Sequence, residues 1–169
     1  KKAYVEITNR CNLACSFCPK TRRAPHTMTA EEFDRILARL EGQVQYVYLH
    51  VMGEPLLHPE LSALLALAGA RGMKVCITTN GTLLQKRSGE LLAAESLHKV
   101  SVSLHSFEGN DGADEQELAY LTQVWDFAGQ AAGKGVIVAL RLWNDGGADA
   151  RNGEILAFLR SRAGSGWPE

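Results

Sequence analysis

Val100-Ser101-Val102-Ser103-Leu104-His105 alternates strictly between apolar and polar side chains. Successive side chains of a strand point to opposite faces, so Val100, Val102 and Leu104 share one face and Ser101, Ser103 and His105 the other. A parallel strand covered by helices on both sides would be apolar throughout. One polar face fits instead a sheet curled into a partial barrel, with helices outside and a wet, ligand-holding lumen inside. Tyr4-Val5-Glu6-Ile7-Thr8 repeats the pattern less cleanly, with Glu6 and Thr8 in line.

Outward from that strand, the period of the apolar pattern switches repeatedly between two and about 3.6 residues. Strands are expected over residues 3–8, 44–52, 74–79, 99–105 and 136–142. Thr29-Ala30-Glu31-Glu32 is a capping-box sequence and opens a helix with Phe33, Ile36, Leu37 and Leu40 on one face. Pro59 can take a first helical position, before a second stripe of Leu61, Leu64, Leu65 and Ala68. Further helices are expected over 88–94, over 115–132 with Leu118, Leu121, Trp125 and Ala128 inward, and over 154–162. The loop over 106–113, with two Gly, Asn and Asp, reads as the most mobile stretch. The result is an α/β chain of five βα units, which argues for a parallel sheet with helices outside it.

Composition sets the outer limits. A chain of 169 residues suffices for one domain with a sizeable core. The formal net charge of -1 implies no broad basic face for nucleic acid. No apolar run reaches the length of about 20 residues that spans a membrane. No secretory pattern opens the chain, so the cytoplasm is the default expectation. The first residue is not Met and the last five are Ser165-Gly166-Trp167-Pro168-Glu169, so the chain is expected to be C-terminally truncated.

Chemistry concentrates just after the expected strands, where ligands collect in parallel α/β folds. Cys11-Asn12-Leu13-Ala14-Cys15-Ser16-Phe17-Cys18 follows the first. Free cysteines are often buried as small hydrophobes, but three of them in one polar loop before Pro19 read as a metal site in a reducing compartment. Two metal readings are open. One is a module without catalysis, structural as a closed Cys₃His zinc site on Cys11, Cys15, Cys18 and His26, or electron-carrying with an Fe–S centre. Seven residues separate Cys18 from His26, longer than usual ligand gaps. Alternatively, three thiolates could hold a [4Fe–4S] cluster and leave one iron without a protein ligand. After the second strand, Met52-Gly53-Glu54-Pro55 offers a glycine that lets a ligand approach the backbone and a carboxylate that can accept from an ammonium group. Taken alone, those four residues are an ordinary strand-ending turn. After the third strand comes Thr79-Asn80-Gly81.

With these three motifs in place, the chain resembles the radical S-adenosylmethionine (SAM) enzymes. Leu56-Leu57-His58-Pro59-Glu60-Leu61 is also similar to many members. The resemblance covers nearly the whole chain and implies a parallel (β/α) partial TIM-like barrel, with five βα units present of an expected six, as a core domain over residues 1–169. It implies a [4Fe–4S] cluster on Cys11, Cys15 and Cys18, with the SAM amino and carboxylate groups on the fourth iron. Phe17 matches the position near adenine, and Gly53 and Glu54 the motif that meets the SAM ammonium. Asn80, in the third-strand motif, joins the implied cofactor-binding set. Ser103 matches a ribose- or carboxylate-contacting position, and Arg141 could pair with the SAM carboxylate. A one-electron donor such as flavodoxin or ferredoxin is implied, with reductive cleavage of SAM to a 5′-deoxyadenosyl radical that takes hydrogen from a substrate. That substrate could be a small molecule, a peptide or a protein. Met52 departs from the family pattern at the first glycine of Gly-Gly-Glu, and a sixth strand is missing.

Other residues have plainer readings. Cys76 sits mid-strand and reads as core. His50 and His105 lie near strand ends, and His105 could face substrate or be a hydrogen-bonded structural group. His58 precedes Pro59 and is expected to cap or pack the turn. Lys20, Arg22 and Arg23 could meet an acidic partner, though a short charge run is usually solvated. Trp125 reads as core. No P-loop, G-x-G-x-x-G or H-E-x-x-H occurs.

Overall fold

The computed structural model describes residues 1–108, 116–142 and 151–164. Five parallel strands form one sheet in chain order: β1 (Lys2–Tyr4), β2 (Tyr46–Tyr48), β3 (Lys74–Thr79), β4 (Leu97–Ser103) and β5 (Ile137–Arg141). The helices are α1 (Ala30–Leu40), α2 (Leu61–Ala70), α3 (Leu84–Ala93), the short α4 (His105–Glu108), α5 (Glu117–Gly133) and α6 (Asn152–Ala163). A doubly wound sheet reverses its strand order at a switch point. This sheet never does, so crossovers of one hand stack the helices on one side and leave the other side free to curl. It is the expected α/β partial barrel, with no sixth strand among the described residues.

The alternation of β4 holds. Val100, Val102 and Leu104 are buried at 0–1% exposure among the helices. Phe33, Leu37, Leu64, Leu91, Val124 and Phe127 meet them in the same core. On the inward face, Tyr4 pairs with Tyr48, Tyr48 with Cys76, Cys76 with Lys99 and Lys99 with Ile137. Next along the strands come Thr78, Ser101 and Ala139, then Ser103 and Arg141. Thr29 caps α1 as expected: its side chain accepts from the Glu32 N–H while Glu32 accepts from the Thr29 N–H.

Several boundaries differ from expectation. The first two strands are three residues each, because the chain after Tyr4 and Tyr48 leaves the sheet for loop contacts. Thr8 pairs antiparallel with Thr27 instead. Pro59 does not open a helix. A 3₁₀ turn over Pro55–Leu57 comes first, and α2 starts at Leu61 after Glu60. The fully buried His58 holds that turn, its Nδ1 accepting from the Glu60 N–H and its Nε2–H donating to the Met28 carbonyl. α3 begins at Leu84, before the apolar stripe shows itself. In α5 the inward stripe is Tyr120, Leu121, Val124, Phe127 and Ala131, and Leu118 is 64% exposed. The helix is turned so that Tyr120 Oη–H reaches the Asn80 carbonyl and Glu117 reaches Arg151 at the start of α6. Trp125 packs partly against the core. Residues 106–108 of the expected mobile loop are helical, and 109–113 lie outside the described residues.

Gly81 sits where β3 meets α3, at φ +81°, and a Cβ there would stand 2.8 Å from Val102 Cγ1 and 3.0 Å from Tyr120 Oη. Gly81→Ala is therefore expected to lower unfolding stability by roughly 1–3 kcal/mol, read as the urea midpoint at constant m. An unchanged midpoint would show that the turn relaxes freely.

Candidate active site

The loop that carries the cysteines is closed at a neck. Asn9 N–H donates to the His26 carbonyl, the His26 N–H to Asn9 Oδ1, and Asn9 Nδ2 to the Ala24 carbonyl. Thr8 Oγ1 donates to the His26 carbonyl and accepts from the Arg10 N–H, and the Met28 N–H donates to the Ile7 carbonyl. Glu6 braces both sides, pairing with Arg23 at 2.6 Å and accepting from the Met52 N–H. Asn and Thr suit this task because their short side chains bond to nearby backbone.

From that neck the loop lies across three strand exits. At β2, the Glu54 N–H donates to the Arg10 carbonyl at 2.7 Å. At β3, Asn80 Nδ2 donates to Asn12 Oδ1 at 3.0 Å and faces Cys11 Sγ at 3.9 Å. Thr82 closes this group, donating to Asn80 Oδ1 and accepting from Asn12 Nδ2. At β4, Cys15 Sγ points at the Ser106 carbonyl at 3.5 Å, and the Phe17 ring centroid is 5.1 Å from that of His105. His105 is buried, with Nδ1 against the Arg141 carbonyl, and burial lowers its pKa. Within the loop the Cys18 N–H donates to the Cys15 carbonyl. Cys11 is exposed, Cys15 buried, Cys18 between, and all are free thiols, as is the buried Cys76.

Gly53 has φ +77°, and a Cβ on it would lie 2.6–2.8 Å from backbone atoms of Thr8, Asn9 and Arg10. The space beside its Cα is thus filled by the root of the cysteine loop. Glu54 is 2% exposed. Its Oε1 accepts from Thr79 Oγ1 and the Leu56 N–H, and its Oε2 from the Asn80 N–H, at 2.7–2.9 Å. Burial pushes this carboxyl up, and the three hydrogen bonds pull it back down. Three of its roughly four acceptor positions are taken by the protein.

Ser103 faces inward, half-buried, and its hydroxyl has no hydrogen-bond partner among the described residues. Arg141 stands beside it on β5. Its charge, with burial as the larger cause, lowers the His50 pKa to about 4. The structure thus brings Cys11, Cys15, Cys18, Phe17, Gly53, Glu54 and Asn80 to one rim, with Ser103 and Arg141 on the inward face next to it.

Three free thiols carried by one loop are the kind of donor set that an iron–sulfur cluster takes. His26 spends its backbone on the neck, and its ring is exposed beside Glu32 at 4.0 Å. Sequence reasoning missed Thr8, Asn9, Asn12, Thr82 and Tyr120. Thr8, Asn9 and Asn12 are polar residues around the cysteines and Thr82 follows the Asn80-Gly81 turn, whereas Tyr120 looks like any aromatic on a helix.

Two outcomes follow from this geometry. Gly53→Ala forces a Cβ into the loop root, so trypsin should nick the protein after Lys20 or Arg22 markedly faster than wild type. Equal nicking rates would mean that the loop does not depend on Gly53. His50, with a folded pKa of about 4 against an ordinary 6.5, binds its proton more readily once unfolded. Its contribution to stability is fully present above pH 6.5 and is lost as pH falls toward 4. Urea unfolding across that range should show wild type losing more stability than His50→Gln, and parallel profiles would refute the assignment.

Comparison with known proteins agrees with this geometry. A sequence model of the Radical SAM superfamily matches residues 5–113. GTP 3′,8-cyclase of Chlorobaculum tepidum is 35% identical over 108 residues, 62% of this chain and 32% of the relative. The antilisterial bacteriocin subtilosin biosynthesis protein AlbA of Bacillus subtilis is 32% identical over 125 residues, 68% of this chain and 28% of the relative. The matched stretch thus spans about a third of these relatives' length. Among solved structures, Streptococcus suis SuiB bound to S-adenosylmethionine superposes with a TM-score of 0.56 at 17% identity, covering 96% of this chain and 47% of SuiB. BtrN in complex with AdoMet and 2-DOIA gives 0.54 at 21% identity, covering 83% and 56%. No described helix is long and apolar enough to cross a membrane. The family match, the parallel sheet and the cysteine loop laid over its strand exits lead to one conclusion: this chain belongs to the radical SAM superfamily, whose cofactors are a [4Fe–4S] cluster and S-adenosylmethionine.

Proposed function

We propose that residues 1–169 form the core domain of a radical SAM enzyme, with Cys11, Cys15 and Cys18 as the ligands of three cluster irons. The observation that carries this reading is the position of the three free thiols: one loop, closed at its neck and pinned over the exits of β2, β3 and β4. When bound, the cluster supplies one electron for cleaving the sulfonium of SAM, which yields methionine and a 5′-deoxyadenosyl radical able to take hydrogen from a substrate.

The protein's own residues then bind and orient. Gly53 and Glu54 meet the SAM ammonium. Glu54 has one acceptor position left on Oε2, and the adjacent backbone carbonyls share the task. Phe17, 49% exposed at the rim, is placed to cover the adenine. Ser103 offers its unengaged hydroxyl to the ribose or carboxylate, and Arg141 its charge to the carboxylate. Asn80 contributes by holding Asn12 beside Cys11. Met52, where the family pattern has glycine, gives its N–H to Glu6.

An external one-electron donor, flavodoxin or ferredoxin, completes the system, in a reducing compartment such as the cytoplasm. The substrate binds on the inward face of the sheet. Relatives named for acting on GTP and on a bacteriocin differ widely in substrate, so family likeness alone does not select one.

Cys15→Ala tests the reading. The variant should lose the brown colour and reduced-state EPR signal after anaerobic reconstitution, and all reductive formation of 5′-deoxyadenosine from SAM. Its far-UV circular dichroism should stay close to wild type. Unchanged 5′-deoxyadenosine production, or a colourless wild-type protein with one zinc per chain, would sink it.

A further inference from the structure

The inward face of the sheet, toward the N-terminal ends of its strands, carries groups that the proposed SAM site does not use. Tyr4 and Tyr48 lie opposite each other in register, with ring centroids 4.8 Å apart. Tyr4 is nevertheless 52% exposed. His50 meets both rings edge-on, each centroid 5.7 Å away. Two strands from Tyr48, about 10 Å across the sheet, Lys99 occupies the same row.

Three features of this face point to a ligand. First, His50 Nδ1 is buried without a hydrogen-bond partner among the described residues, while Nε2 is against Thr78 Oγ1 at 3.2 Å. A buried polar atom left without a hydrogen bond is costly, and this one belongs to the ring that packs against Tyr4 and Tyr48. Second, the side-chain charge that the described residues bring to this face is positive. Lys99 has no ion pair among the described residues, and Lys2 Nζ lies over the two tyrosine rings at 5.4 and 5.6 Å. The field of Arg141 reaches His50 from the next row. Among the described residues, Glu6 is engaged by Arg23 and Glu54 by its three donors. Third, exposed aromatic surface beside cations suits a flat ring better than an aliphatic chain, because ring pairs gain from their geometry as well as their area.

We infer that this face binds a small organic acid whose oxyanion is attached to a flat unsaturated ring. The acid group meets Lys99, the ring lies against Tyr4 and Tyr48, and His50 Nδ1 supplies one hydrogen bond. The inference rests on the enzyme reading only in taking this acid to be the substrate. The binding itself needs neither cluster chemistry nor SAM.

Benzoate, benzylamine and inorganic phosphate are the probes, used on the intact, anaerobically reconstituted protein with ¹⁵N-labelled histidine rings. Benzoate should shift the His50 Nδ1 resonance saturably and bind at least tenfold more tightly than either other probe. Lys99→Met should weaken benzoate at least tenfold, and Lys99→Arg should restore most of it. Tyr4→Leu should weaken benzoate and leave phosphate unmoved. Benzylamine binding as tightly as benzoate, a His50 signal unmoved at benzoate saturation, or a Lys99→Met variant that binds benzoate as wild type does would each overturn the proposal. Formation of 5′-deoxyadenosine is measured separately: benzoate binding without SAM cleavage would end the enzyme reading and leave the acid site standing.

Discussion

A buried carboxylate has to be hydrogen-bonded, and the structure is organised around one that collects three donors. Glu54 lies almost wholly out of water and collects the Thr79 hydroxyl and the Asn80 and Leu56 amides. Leaving such a charge unpaired would be far costlier than any single contact here contributes. The exits of β2 and β3 are therefore tied together at a fixed spacing. Because the Glu54 amide also holds the Arg10 carbonyl, the root of the cysteine loop is tied to the same point. Gly53 permits that close approach by lacking a Cβ.

The same tie reaches outward into the helical layer. Asn80, whose amide meets Glu54, offers its carbonyl to Tyr120 on α5, and the ring of Tyr120 fills the space beside Gly81. Burial, with the charges of Glu54 and Glu117, pushes that phenol's pKa up, so it remains a donor throughout the ordinary pH range. One continuous set of contacts thus runs from the cysteine loop through Glu54 and Asn80 to the outer helix. It gives the rim a rigid floor while the inward face beside it stays open. A site built to hold a reactive cofactor benefits from such support, since small displacements of positioned groups lose large factors in rate.

The inward face has a different character. It carries the cations Lys2, Lys99 and Arg141 and the mutually packed rings of Tyr4, Tyr48 and His50. On the proposed reading, that contrast separates two jobs in one fold, with cofactor holding at the strand exits and substrate selection on the inward face of the sheet.

The alternation of Val100–His105 and the capping box at Thr29 are local signals, so the parallel, one-sided sheet and the start of α1 were legible in the chain. The cysteine spacing marked the loop for the same reason: three cysteines within eight residues need no tertiary structure to be recognised. What tertiary structure decided is where side chains find partners far along the chain. Strand ends were misjudged because Glu6 and Thr8, which look like inward strand residues, are drawn off to brace the loop neck at Arg23 and His26. The face of α5 was misjudged because its rotation answers to Asn80 and Arg151, not to its own apolar pattern. Gly53 and Glu54 were marked in the sequence as ligand contacts, yet their packing against Arg10, Thr79 and Asn80 appears only in three dimensions. Sequence determines which groups are available and how they repeat. Burial and hydrogen-bond satisfaction, which depend on the whole fold, decide which of them are already occupied and which are left to meet a ligand.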